Sequence, residues 1–249
     1  MRPRDPRRLL ARRGRGPGRV KLIEHPASSS TEDGSVTTKQ IAEVTLPREE
    51  LEKIWSVEYL ERLARTYWVF LSRFTLGLIR VLYTPEGREV VLVGRPLRLL
   101  TFRAPEYEAE PNRGTVTWRI EKGILVAPHG RNKGYLRICV ERPDPDPGGD
   151  EVTARVSSEV ANFYSAIAQS WVPSKLARFG AWLYKQTQLR IHVIVTNAFL
   201  RSLARLELPE SVVGSLRQQA REALQRGDPK EAQELEDTAR SEELHQASA

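Results

Sequence analysis

The chain of 249 residues is long enough to bury a full core, and its 40% hydrophobic and 29% charged residues are those of an ordinary globular protein. A single cysteine, Cys139, excludes an intramolecular disulfide, and no segment reads as a signal peptide, so a reducing, cytoplasmic setting is expected. The net charge of +7 is concentrated in residues 1–21, where nine Arg or Lys face one acid, Asp5; the rest of the chain is close to neutral, which excludes a globally basic surface.

Residues 1–34 mix Arg, Pro and Gly and then run through Ser28-Ser29-Ser30-Thr31 with little to bury, which predicts a disordered basic arm. Residues 1–21 offer contact to nucleic acid or an anionic membrane; a solvated tail, or a start site placed too early, accounts for the same composition. Structure is expected from about Ser35, with a strand over Val36–Leu46 closed by Pro47. Glu49 and Glu50 in a first helical turn, then Leu51, Ile54, Trp55, Leu60 and Leu63, predict an amphipathic helix or a pair of short ones ending near Tyr67. The apolar run Tyr67–Tyr83 is only 17 residues long and holds Arg73 and Arg80, so no transmembrane segment is expected.

Antiparallel strands are expected next. Phe74–Tyr83 and Glu89–Val93 flank Thr84-Pro85-Glu86-Gly87, a type I turn signature. Further strands are predicted over Leu97–Glu108, Thr115–Val126, Gly134–Arg142 and Val152–Phe163, separated by Pro-, Gly- and Asn-rich turns. Val116, Trp118 and Ile120 share one side of their strand, as do Leu136, Ile138 and Val140, and Val152, Ala154 and Val156. A sheet with one apolar and one salted face follows, and its apolar face needs a cover.

The stretch Gln186–Leu206 has a β-branched centre and helical flanks. With Pro173-Ser174 as a start and Leu176, Phe179, Leu183, Leu189, Val193, Leu200 and Leu203 mostly at helical spacing, a long helix up to Pro209 is predicted. About 30 residues make a rod of roughly 45 Å, enough to cross a sheet. Beyond it, Arg221-Glu222-Ala223-Leu224, Gly227-Asp228-Pro229 and Glu231-Ala232-Gln233-Glu234-Leu235 predict a polar helical hairpin or partner-binding tail around a Gly-Asp turn.

One strand, helical segments, six antiparallel strands and a long final helix form an element order that resembles the helix-grip, START-like (SRPBCC) superfamily. The opening Val44-Thr45-Leu46-Pro47-Arg48-Glu49-Glu50-Leu51 through Trp55 is similar to that superfamily's first strand and Trp-bearing helix. The resemblance spans residues 36–206. It implies an α+β fold in which a curved antiparallel sheet of six to seven strands packs on the long helix around a cavity for lipids, polyketides or similar apolar molecules. It brings no catalytic signature. The expected division is a basic arm (1–34), the helix-grip domain (36–206) and a helical tail (207–249).

On the predicted long helix, His192 shares a face with Gln188, Thr196 and Phe199, a polar strip beside an aromatic that suits orienting a ligand; residues flanking a packed face read the same way. Trp118, Ile138 and Val156 lie where a pocket floor, or plain core, is expected. Glu106, Tyr107 and Glu108 cluster late in a strand and Tyr164 lies just past the last one, while Arg119, Arg137, Arg155, Glu121 and Glu159 read as a charge ladder on the solvent face. His25, His129, His192 and His245 show no metal-ligand spacing, and no phosphate loop or nucleophile elbow is present, so neither metal nor cofactor is expected. The function that follows is binding of a small apolar molecule between sheet and helix, with no reaction assigned. The alternative is a scaffold acting through its basic arm and helical tail.

Overall fold

The computed structural model describes residues 18–23, 27–53, 55–93, 97–143, 148–166, 199–200, 203 and 208–248. The chain enters through two short strands, β1 (Arg19–Leu22) and β2 (Ala27–Ser30), and one long strand, β3 (Ser35–Pro47). Helices α1 (Arg48–Lys53) and α2 (Val57–Phe74) follow. Strands β4 (Ile79–Thr84), β5 (Gly87–Leu92), β6 (Arg98–Arg103), β7 (Glu106–Glu110), β8 (Arg113–Lys122), β9 (Tyr135–Glu141) and β10 (Glu151–Tyr164) complete the sheet, and α3 (Val212–Gln225) and α4 (Pro229–Ala247) close the chain. This is an α+β protein built on a large antiparallel sheet.

The sheet runs in the order β1-β3-β10-β9-β8-β6-β5-β4, with β2 also on β3 and β7 also on β8. First and last long strands are therefore neighbours, paired from Glu151 opposite Pro47 to Tyr164 opposite Ser35. From Thr38 onward burial alternates strictly along β3, with Thr38, Gln40, Ala42, Val44 and Leu46 on the buried side. The same side of β10 carries Val152, Ala154, Val156 and Ser158. One inner face thus faces the core.

Helix α2 lies on that face. Ser56 starts it by accepting the Tyr59 N–H at 3.2 Å, and its inward stripe is Leu60, Leu63, Ala64, Tyr67 and Trp68. The Trp68 ring stands edge-on to Trp118 at 5.2 Å, and Tyr67 stands edge-on to Phe199 at 5.6 Å. Gly114 on β8 lets the helix sit close: a Cβ there would come within 2.8 Å of the Leu60 side chain.

Several expectations change. The sheet has ten strands rather than six or seven, and it begins at Arg19 rather than Ser35. Val20 and Leu22 pack on the core, and ladder pairing of β1 and β2 needs only backbone groups, which composition does not weigh. Residues 1–17 lie outside the described residues. Helix α2 continues through Phe74, so the strand expected from Phe74 starts at Ile79; Gly77, at φ +79, terminates the helix instead of forbidding it. The segment Leu97–Glu108 divides into β6 and β7 at Ala104-Pro105, because Pro105 offers no N–H to the ladder. The 84–87 hairpin forms as expected.

The predicted helix over residues 173–206 falls almost entirely outside the described residues; of its apolar stripe, Leu200 and Leu203 are described and both are buried. No described helix is long and apolar enough to cross a membrane.

Gly87 closes the hairpin against β6, with its Cα facing the Phe102 carbonyl oxygen: an added Cβ would lie 2.0 Å from that oxygen. Gly87→Ala is expected to destabilise the fold by roughly 2–4 kcal/mol, read as a lowered midpoint in urea unfolding.

Candidate functional site on the inner face of the sheet

The ladder registers assemble the inner face in rows. One row runs Gln40 (β3), Ser158 (β10), Ile138 (β9), Val116 (β8) and Tyr107 (β7). The next runs Thr38, Val160, Leu136 and Trp118, and the one on the other side runs Ala42, Val156, Val140 and Gly114. Most of this surface is apolar. Gln40 and Ser158 are not.

Gln40 is 4% exposed and Ser158 is fully buried, yet among the described residues neither amide atom of Gln40 nor the Ser158 Oγ has a hydrogen-bond partner. The indole N–H groups of Trp118 and Trp68 are unpartnered as well. An unmet buried donor or acceptor costs about 1–3 kcal/mol, and three of these side chains stand on one face of the sheet with Trp68 of α2 packed over it. Thr38, buried at the end of its row, extends the polar patch.

The residues singled out in the sequence are distributed as follows. Trp118, Ile138 and Val156 come together on adjacent rows of the inner face, all buried, and Phe199 is buried in the same core. Gln188, His192 and Thr196 lie outside the described residues. Glu106 faces solvent, where its carboxylate receives the Arg119 guanidinium at 3.1 Å, and Glu108 is exposed. Tyr164 ends β10 and donates to Asp33 at 2.6 Å; the Thr31 hydroxyl, then this phenol and the Ser35 N–H, hold the Asp33 carboxyl below the usual range. The salted face is a ladder: Arg155 stands opposite Glu141 and Glu43, and Glu159 opposite Arg137 and Lys39. Sequence parity alone, carried two residues past Val156 and two back from Ala42, would have found Ser158 and Gln40.

A second polar centre was not legible at all. Arg88 on β5 and Glu242 on α4 are each 2% exposed and meet at 2.5 Å, with the guanidinium lying 4.3 Å over the Tyr83 ring. Glu61 on α2, 1% exposed, accepts the Val212 N–H at the start of α3 at 3.0 Å. Beside it, Arg62 and Arg65 donate to the carbonyls of Leu208, Pro209, Glu210 and Ser211. The tail is thereby clamped onto the sheet through a helix pair around Gly227-Asp228, with Val212, Val213, Leu216 and Ala239 packed against Tyr83. Burial pushes the Glu61 carboxyl up to about 7; the Glu242 carboxylate adds to the rise, while the Val212 N–H, Arg65 and Arg88 oppose it. Burial also raises Tyr83 and Tyr107, so both phenols stay protonated. This cluster bridges α2, β5, α3 and α4, which suits holding elements together, although Arg88 Nε, Glu242 Oε2 and Glu61 Oε2 have no hydrogen-bond partner among the described residues.

A small apolar cavity of about 30 Å³ between Leu51, Trp55, Tyr59, Leu60 and Val140 holds no more than a water molecule and cannot receive a ligand. No group of three or more potential metal ligands occurs among the described residues.

Glu61 binds its proton more tightly in the folded chain than at the unfolded value of 4.5, so its contribution is full below about pH 4.5 and is lost as pH rises through about 7. Stability is expected to fall by roughly 3 kcal/mol over that window, and Glu61→Gln, which keeps the acceptor for Val212, should flatten the curve in urea titrations at stepped pH. Glu242→Ala, which strands Arg88, is expected to cost about 3–5 kcal/mol, whereas Arg88→Met with Glu242→Leu should cost far less. Compared with known proteins, the chain matches no family model and no curated sequence.

Proposed function

We propose that the protein binds an elongated small molecule, apolar along most of its length, on the inner face of the sheet. The observation that carries this reading is the cross-strand neighbours Gln40 and Ser158, without hydrogen-bond partners among the described residues and buried in a mostly apolar face. A ligand hydroxyl, carbonyl or carboxyl supplies what those side chains lack, and its apolar body lies along Ile138, Val156 and Trp118. From Gln40 on β3 to Trp118 on β8 is three strand spacings, roughly 14 Å, so a molecule reaching both polar ends is the length of a fatty acyl chain or a fused-ring polyketide. The unmet groups include three N–H donors, counting the two indoles, which favours an acceptor-bearing ligand.

The helix-grip resemblance agrees with this reading. The described order of one long strand, two helices and a run of antiparallel strands is the order the resemblance rests on, and the closing of β10 onto β3 brings the two halves of the inner face together.

Gln40→Leu distinguishes ligand recognition from structural necessity. Removing two unmet polar atoms is expected to stabilise the empty protein by about 1–3 kcal/mol, while ligand capture is lost. The measurement is native mass spectrometry of the full chain with organic extraction of whatever co-purifies, alongside uptake of a fluorescent fatty acid. Wild-type protein that comes out empty and takes up no probe, or a Gln40→Leu variant that retains the wild-type complement, would sink the proposal.

A further inference from the structure

The described residues leave nine large apolar side chains exposed, and six of them, Phe74, Leu76, Leu78, Val93, Leu97 and Ile124, gather at one end of the sheet. The backbone ties their loops together. Val93 N–H donates to the Leu78 carbonyl at 2.9 Å, Leu92 N–H to Leu97 at 2.9 Å and Ile124 N–H to Arg98 at 3.2 Å. Leu76 is 91% exposed and Val93 69%, the two most exposed of the set. Both sit at positive φ, +53 and +55, a conformation that is rare for branched side chains and that turns them away from the core. Scattered exposed leucines need no explanation, but a ring of loop tips carrying six does.

The unneutralised charges around the ring are positive. Arg73 and Arg80 are exposed with no acidic partner among the described residues, while Glu89 and Glu121 are each held in ion pairs, with Arg98 at 3.3 Å and Lys122 at 3.1 Å. Apolar prongs beside exposed guanidinium groups, of which Arg80 donates to the Gly77 carbonyl at 3.4 Å, match the acyl and headgroup layers of an anionic bilayer. We propose that this end of the sheet docks on an anionic membrane surface, inserting Leu76, Leu78, Val93, Leu97 and Ile124 while Arg73 and Arg80 meet lipid phosphates. The proposal stands independently of any ligand on the inner face and of the basic stretch 1–21, which adheres to anionic surfaces by charge alone.

Flotation of the full chain with phosphatidylcholine vesicles, with and without phosphatidylserine, tests it at low and high ionic strength. Binding to the anionic vesicles is expected to persist in part at high salt, because inserted side chains are not screened. Leu76→Asp with Val93→Asp should reduce that salt-resistant binding at least roughly tenfold, whereas Leu244→Asp, exposed on α4 at the far side of the 84–87 hairpin, should leave it unchanged. An environment-sensitive dye on Leu76→Cys should shift to the blue on vesicles; Cys139, 4% exposed, does not compete for the label. The proposal is overturned if the Asp variant floats like wild type, if the dye reports no apolar contact, or if the patch instead drives a concentration-dependent dimer without vesicle binding.

Discussion

Everything described here hangs on the pairing of β3 with β10. Thr45 and Thr153, whose hydroxyls meet across this ladder at 2.9 Å, are 108 residues apart in the chain. Closing a loop of that length costs about 4 kcal/mol beyond a constant. The side chains that the pairing brings onto one face, Val44, Leu46, Val152 and Val156, each return roughly 1.5–3 kcal/mol on burial, so the ladder outweighs its closure cost even before hydrogen bonds are counted. Because side chains alternate with period two, that one register decides at once which residues are inner. Gln40 and Ser158 are buried for the same reason that Ala42 and Val156 are.

Both polar centres keep unmet atoms among the described residues, but they differ in what their members join. Arg88 and Glu242 form an ion pair across β5 and α4 and Glu61 accepts a backbone N–H of α3, so the tail they anchor makes the cluster part of the folded unit, although Arg88 Nε, Glu242 Oε2 and Glu61 Oε2 lack partners. Gln40 has no hydrogen-bond partner among the described residues, and its strand is held on both sides, so the side chain has no freedom to turn outward without slipping every neighbour.

Much of this was legible in the chain because it rests on periodicity. Strands β3, β8, β9 and β10 announce their faces by alternation, and the Thr84–Gly87 turn announces its hairpin. Helix α2 was cut short because Gly77 reads as a breaker within an apolar run, when it is in fact the residue that ends the helix three positions beyond Phe74. The Arg88–Glu242 pair was invisible: its members are 154 residues apart, and a single Glu on a polar helix reads as solvated until tertiary packing buries it. Strands β1 and β2 were missed because a ladder on an existing edge asks little of its side chains.

The placement of β1 and β2 bears on how the protein leaves the ribosome. Strand β3 is made early, and its partner β10 emerges only after more than a hundred further residues, so a 13-residue apolar-faced strand must wait for its mate. In that interval β1 and β2, already synthesised, can pair with its other edge, β1 along 42–45 and β2 along 36–39. The nascent chain then carries one open edge instead of two, and in the finished sheet the same two short strands keep β3 from templating a neighbour. The amino-terminal stretch of the sheet thus guards the edge of the strand on which the rest of the fold closes.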